Sequence, residues 1–398
     1  MKTKSKNKFL FTRITHFLKG LIFSIYYSFI YTKREKTIIF NSSCNIDFTW
    51  NSKSLFLNGK RTLNEMGYKT LYVITDDNKR ALLKKQYGDI FISNNNIKEL
   101  HLIYTSAIWI LSTLETPCSG IFLNRKRFVF HLGHGTPIKN IGLCENKPSI
   151  LKRIFYHLND TNISLYLSTS DYFSSYMKNA FGTKDRKIIV SPQPRIHDIL
   201  HRKKNNFLFD RRKKYILYAP TWRPYSVVKL FPFDNFDINE FNDYLTKENI
   251  VFLIRLHPEF ENNIGSYLCS NIVNFNTQLC ADISDALDFT SAMITDYSSI
   301  YCDYLLLNKP VAVLPYDIEE YNEKIGFSHD YNDILPSYRI NSINDLIEFC
   351  KLTHDDSFNI SHQEKLCKKL NFVPQNIDII DYNINIIDQE YKRIWEQK

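Results

Sequence analysis

No C-x-x-C pair occurs in this chain of 398 residues, and its eight cysteines (Cys44, Cys118, Cys144, Cys269, Cys280, Cys302, Cys350, Cys367) follow no metal-ligand spacing. Zinc ribbons and disulfide frameworks are set aside, and the thiols read as free groups of a reducing compartment. The patterns G-x-G-x-x-G and G-x-x-x-x-G-K-[ST] are also missing, so neither a dinucleotide fingerprint nor a P-loop is indicated. The N-terminal apolar stretch, Gly20 to Thr32, has only thirteen residues. As a helix it would reach about 20 Å, short of a hydrocarbon core roughly 30 Å thick.

The net charge is concentrated at one end of the chain. The formal total is +9, and residues 1–36 hold nine Lys and Arg against Glu35 alone, a net of +8 that leaves +1 for everything else. A nucleic-acid binder would carry basic residues across its folded surface; here they flank one apolar stretch, and no nucleic-acid partner is expected. Residues 1–35 read as a basic amphipathic segment lying in an anionic membrane interface. The alternative is a buried first helix behind a basic tail. No small-residue cleavage site follows, which argues against a signal peptide.

What is present is a long alternation of strand and helix patterns. The 44% hydrophobic and 15% aromatic content fits a folded chain with room for two domains. Apolar β-rich runs occur at 36–41, 68–75, 106–113, 126–134, 164–170 and 187–195, then at 215–221, 250–258, 291–299 and 310–315. Two helix patterns between them stop at Gly67 and Gly182. Uninterrupted apolar strands need helices over both faces. The expected fold is α/β, with two Rossmann-like domains facing across a cleft. The expected boundaries are 1–35 for the basic segment, 36–197, 210–375, and a helical C-terminal segment at 376–398, with a polar, basic connection around 196–214.

In open α/β sheets ligands bind beyond the carboxyl ends of the strands. The residues placed there are His134-Gly135-Thr136, Pro194-Arg195, Thr221-Trp222-Arg223, His257-Pro258 and Asp296-Tyr297-Ser298-Ser299. They are imidazoles, hydroxyls and guanidiniums, with no paired carboxylates and no thiol, a set suited to an anionic ligand. In "TDYSS" a strand, two hydroxyl residues and a helix start form a phosphate-site pattern, although a serine there is also an ordinary N-cap. Arg223, Arg255 and His257 at neighbouring strand ends favour the phosphate. A lone histidine is more often structural than catalytic. His131 is expected to point into the strand packing, whereas Gly133 and Gly135 leave His134 open. A free imidazole with a pKa of ~6.5 takes a proton near neutral pH. The spacing His131-x-x-His134 lacks a third ligand, so no metal site is assigned. No cofactor is expected to be required, and a loosely held Mg²⁺ stays compatible with the pattern.

The ordered set "HGTPIKNIG", "PQPR", "YAPTWR", "IRLHP", "DISDAL" and "ITDYSSIYCDYLLLNKPVAVLPYDIEEY" resembles the CDP-glycerol glycerophosphotransferases, bacterial enzymes of teichoic acid and capsule polymers. The resemblance is dense over 125–330. It implies a GT-B-type fold at the cytoplasmic face of the cell membrane. The implied activity is transfer of a polyol phosphate, glycerol phosphate first, from a CDP-activated donor to a hydroxyl of a lipid-linked glycan acceptor. It implies that His134 is the general base and that His257 acts on the donor phosphates. By the same match Thr221, Ser298 and Ser299 contact donor phosphate, and Asp282 and Asp296 are acidic positions of the donor domain; Thr136, at the strand end beside His134, is a further phosphate-binding candidate. Arg195, Arg223 and Arg255 join them as phosphate-binding candidates. Three departures stand out: Gly133 replaces the family tryptophan, "QPRIHD" replaces "GxPR-N-D", and the closing "DG…R" pattern is missing. Two other readings remain open at this point: a nucleotide-sugar glycosyltransferase on the same fold, and an inert membrane-associated scaffold.

Overall fold

A computed structural model describes residues 20–201, 210, 212–280 and 282–396. Residues 1–19, the basic half of the expected N-terminal segment, and much of the expected connection lie outside the described residues. The chain divides into two compact units. Unit 1 contains residues 1–135, 142–197 and 372–398; unit 2 contains 136–141 and 198–371. The boundaries differ from the sequence reading in two places. The short piece 136–141 belongs to unit 2, and the C-terminal segment belongs to unit 1.

Unit 1 is built on a seven-stranded sheet. Its strands are β1 (Glu35–Asn41), β2 (Lys69–Val73), β3 (Phe91–Ile92), β4 (Ser106–Leu111), β5 (Phe128–His131), β6 (Leu165–Ser168) and β7 (Ile188–Val190). All pairs are parallel, in the order β3-β2-β1-β4-β5-β6-β7. Strand order therefore reverses between β1 and β4. β4 and β5 are buried at every residue, because helices cover the sheet. The helix Trp50–Glu65 packs there together with the C-terminal helix Ile379–Trp395, whose Ile380, Ile384 and Ile387 join the same core as Leu55, Phe56 and Leu63. The helix Asp171–Phe181 ends at Gly182, which sits in the left-handed conformation that a helix stop favours (φ +64°).

The N-terminal stretch is neither wholly free nor wholly buried. Residues 20–25 are helical and run into a π-helical turn, Tyr26–Ile30. One side docks on unit 1. Tyr27 lies flat on Tyr104 with ring centroids 4.9 Å apart, its hydroxyl 2.7 Å from His101 Nδ1, and Ser28 Oγ donates to the Phe122 carbonyl at 3.0 Å. The other side leaves Ile22, Ile25, Phe29 and Ile30 exposed.

Unit 2 carries five parallel strands: β8 (Lys214–Ala219), β9 (Ile250–Ile254), β10 (Ile272–Asn274), β11 (Ala292–Thr295) and β12 (Val311–Val313). Their order is β10-β9-β8-β11-β12, with the reversal between β8 and β11. Segment 136–141 adds to this unit by an antiparallel bridge from Lys139 to Phe327. The Asn140 amide also donates to the Gly326 carbonyl at 3.0 Å. None of the eight cysteines forms a disulfide, and among the described residues no helix is long and apolar enough to cross a membrane.

Candidate active site

In unit 1 the predicted histidine follows β5 and meets residues leaving β4 and β1, the two strands between which the order reverses. β5 ends at His131, and the chain turns through Gly133 (φ +69°) and Gly135 (φ +156°), conformations that ask for glycine. His134, between them, is exposed. Its Nδ1 lies 3.3 Å from the Ser112 carbonyl at the end of β4. A carbonyl only accepts, so Nδ1 of the neutral ring carries the proton and Nε2 is the basic nitrogen. Trp50, which follows β1, stacks on the ring with centroids 4.8 Å apart and planes 28° apart. Arg195 Nη1 donates to the His134 carbonyl at 3.0 Å, and the Arg195 amide donates to Asn51 Oδ1 at 3.1 Å. Buried Asn51 also donates to the Gly133 carbonyl (2.9 Å) and to Gln193 Oε1 (3.1 Å), tying the β5 and β7 exits together. Trp50 and Asn51 were not read from the sequence.

His131 packs into the core behind β5, as its place on the strand predicts. It is buried between Tyr166 and Phe181, at centroid distances of 5.5 and 5.2 Å. Burial, reinforced by the charge of His134, pushes its pKa down to about 3, so the ring is neutral at physiological pH.

In unit 2 three adjacent strands, β9, β8 and β11, deliver His257, Thr221 and Ser298-Ser299 at their carboxyl ends. His257 is exposed beside Trp222, with ring centroids 5.9 Å apart. The two rings border an apolar recess walled by Val228, Leu230, Leu256 and Tyr267. Ser298 and Ser299 are half-buried. The helix behind them, Ile300–Tyr304, has five residues before a 3-10 turn, so its dipole is small and the hydroxyls and local amides carry more of any anion binding than the sequence pattern implied. The hydroxyls of Thr136 and Thr221 are buried without a partner. An unpaired buried hydroxyl costs about 1–3 kcal/mol, which makes both candidates for a ligand oxygen.

The acidic and guanidinium candidates turn out to be braces. Arg223 is 1% exposed. Its Nε and Nη2 bond both oxygens of Asp317 at 2.7 Å, and Nη1 bonds Asp296 Oδ2 at 2.7 Å. Asp296 Oδ1 accepts from the Thr221 amide (2.7 Å) and the Tyr297 amide (2.6 Å). One buried cluster thus fixes the loops leaving β8, β11 and β12. Burial alone would lower the Arg223 pKa, but the Asp317 hydrogen bonds and the Asp296 charge outweigh it and hold the pKa above the usual guanidinium value. Arg223 and Asp296 are therefore engaged with each other inside unit 2. Arg255, also buried, donates to the carbonyls of Phe275 (3.0 Å) and Cys280 (2.8 Å). Asp282 caps a 3-10 turn by accepting from the Ser284 amide at 3.0 Å. Short, desolvated contacts of this kind are what residue types alone do not reveal.

Two units, each an all-parallel sheet with imidazole and hydroxyl side chains beyond the carboxyl ends of its strands, give a GT-B-like α/β fold. Solved structures agree on the fold. A variant of the wall teichoic acid polymerase TagF soaked with CDPG superposes with a TM-score of 0.70 at 19% identity, covering 97% of this chain and 98% of that one. Staphylococcus aureus MnaA in its UDP co-structure gives 0.52 at 13% identity over 92% and 99%. The teichoic acid glycerol-phosphate transferase of Staphylococcus aureus is 26% identical over 319 residues, 71% of this chain and 79% of the relative. Residues 24–372 match the profile of CDP-glycerol:poly(glycerophosphate) glycerophosphotransferases, and the chain belongs to that family.

Proposed function

We propose that the chain transfers a polyol phosphate, glycerol phosphate first, from a CDP-activated donor to a hydroxyl of a lipid-linked teichoic acid acceptor. The relatives are glycerol-phosphate transferases and polymerases of teichoic acid, and CDPG was soaked into the TagF variant that shares the fold. The observation that carries the chemistry is the pair of strand-end clusters, one presenting an exposed imidazole and the other a second imidazole among hydroxyls. His134 Nε2 takes the proton from the acceptor hydroxyl as its oxygen attacks the donor's β-phosphorus. The bond to the bridging oxygen breaks and CMP leaves. His257, Ser298, Ser299 and Thr221 donate to the phosphate oxygens as charge builds. Arg195, which holds the His134 carbonyl, steadies the base. A donor screen with purified protein and lipid-linked acceptor tests the reading. CDP-glycerol or CDP-ribitol should release CMP with a new phosphodiester, and UDP-sugars should give no product. Glycosidic product from a UDP-sugar would overturn it.

The protein works, on this reading, peripherally at the cytoplasmic membrane face. The exposed Ile22, Ile25, Phe29 and Ile30 support it, and so does a surface the sequence did not suggest. The helix Ile150–Asp160 has no buried residue and exposes Ile150 (76%), Leu151 (74%), Ile154 and Phe155 beside exposed Arg153. Burying such side chains in an interface is worth about 1.5–3 kcal/mol each. The double variant Ile150→Glu, Leu151→Glu should therefore sediment with phosphatidylglycerol vesicles at least roughly tenfold less well, with turnover on a soluble acceptor analogue unchanged. Unaltered vesicle binding would exclude this helix from the contact.

A further inference from the structure

We infer that Trp50 is the positioning residue of His134, an inference that rests on His134 being the base. Two contacts bear on the orientation of the imidazole. The Ser112 carbonyl at 3.3 Å fixes the tautomer and the direction of Nδ1. The indole of Trp50, stacked 4.8 Å away, fixes the plane of the ring. The side chain is exposed and flanked by two glycines at positive φ, and an indole stacked on its face limits the χ angles open to it.

The backbone at Trp50 marks the contact as one that the surrounding structure imposes. Trp50 has φ +62°, a left-handed conformation that a bulky residue adopts only when its surroundings hold it there. It stands at the first position of the helix Trp50–Glu65, after Thr49 in extended conformation. Its neighbour Asn51 is buried and bonded to the carbonyls of Leu132 and Gly133, just ahead of His134. The side chain of residue 51 thus anchors the backbone that carries the base, and residue 50 meets the base itself. Steady-state packing needs only an apolar group at this half-buried position; an aromatic face parallel to an imidazole serves orientation.

The test separates orientation from stability. Trp50→Ala should lower kcat with CDP-glycerol by roughly 10- to 100-fold, the scale of a misplaced reacting group, and leave donor KM within about twofold. Trp50→Phe should restore most of the loss, and Trp50→Leu should restore little. Trp50→Gly should share the kinetic defect of Trp50→Ala yet unfold at a higher temperature, because glycine is at ease at this φ. In the double variant with His134→Ala the two losses should not add. If Leu restores kcat as well as Phe does, or if kcat follows melting temperature across the set, Trp50 is packing alone. If His134→Ala leaves turnover intact, the reading of His134 fails first, whatever Trp50 does.

Discussion

Replacing Arg223 by alanine is expected to cost about 3–5 kcal/mol of unit 2 stability, the range for breaking a buried ion pair by removing one partner. The guanidinium bridges Asp296 and Asp317, and the side chains of all three are at most 9% exposed. Its loss leaves two buried carboxylates without the cation that bridges them. The consequence reaches the site, because Asp296 also holds the Thr221 and Tyr297 amides, so donor turnover should fall with stability. Arg223→Lys keeps the charge but cannot reproduce the fork to Asp317 and should lose less stability than alanine. The triple variant Arg223→Met, Asp296→Asn, Asp317→Asn removes all charge and should recover much of the stability without recovering activity. Denaturant unfolding of the full chain, followed by a unit 2 probe, measures this. A shift below about 1 kcal/mol for Arg223→Ala, the level of an exposed pair, would show that the cluster is not the brace described.

His134→Ala is expected to lower kcat by about 10²- to 10⁴-fold, the usual contribution of a positioned acid or base. The residue is exposed, and its ring touches Trp50 and the Ser112 carbonyl. Its removal should therefore leave melting within the small range of surface substitutions. Donor KM should change little, since the donor phosphates are assigned to unit 2. A defect in KM with kcat preserved would move His134 from proton transfer to binding. The pairing of a large kinetic loss with an intact fold is what distinguishes this variant from Arg223→Ala, where both fall.

Much of this was legible in the sequence, for physical reasons. Ten apolar runs correspond to ten strands because burial on both faces leaves an unbroken signature in the residues. The two strands that went unread, β3 and β10, have two and three residues and lie at sheet edges, too short for any period to register. The site residues could be found because strand ends carry polar residues that the strands themselves exclude. Roles within the site were harder. Arg223 and His257 look equally available in "APTWR" and "RLHP", yet one is buried against two carboxylates and the other is exposed. The difference lies in Asp317, 94 positions away. Trp50 and Asn51 reach the His134 loop from a helix more than eighty residues upstream, and only the sheet order β1-β4-β5 brings them there. The exposed face of Ile150–Asp160 was missed because an apolar helical stripe normally means core.

The division of labour between the two units is tested most directly by titrating CDP-glycerol, without acceptor, into His134→Ala and His257→Ala and following the heat of binding. His134→Ala should keep wild-type donor affinity, and His257→Ala should bind at least roughly tenfold more weakly, the loss of one charge-assisted contact. Wild-type affinity in His257→Ala, or weakened affinity in His134→Ala alone, would contradict that division.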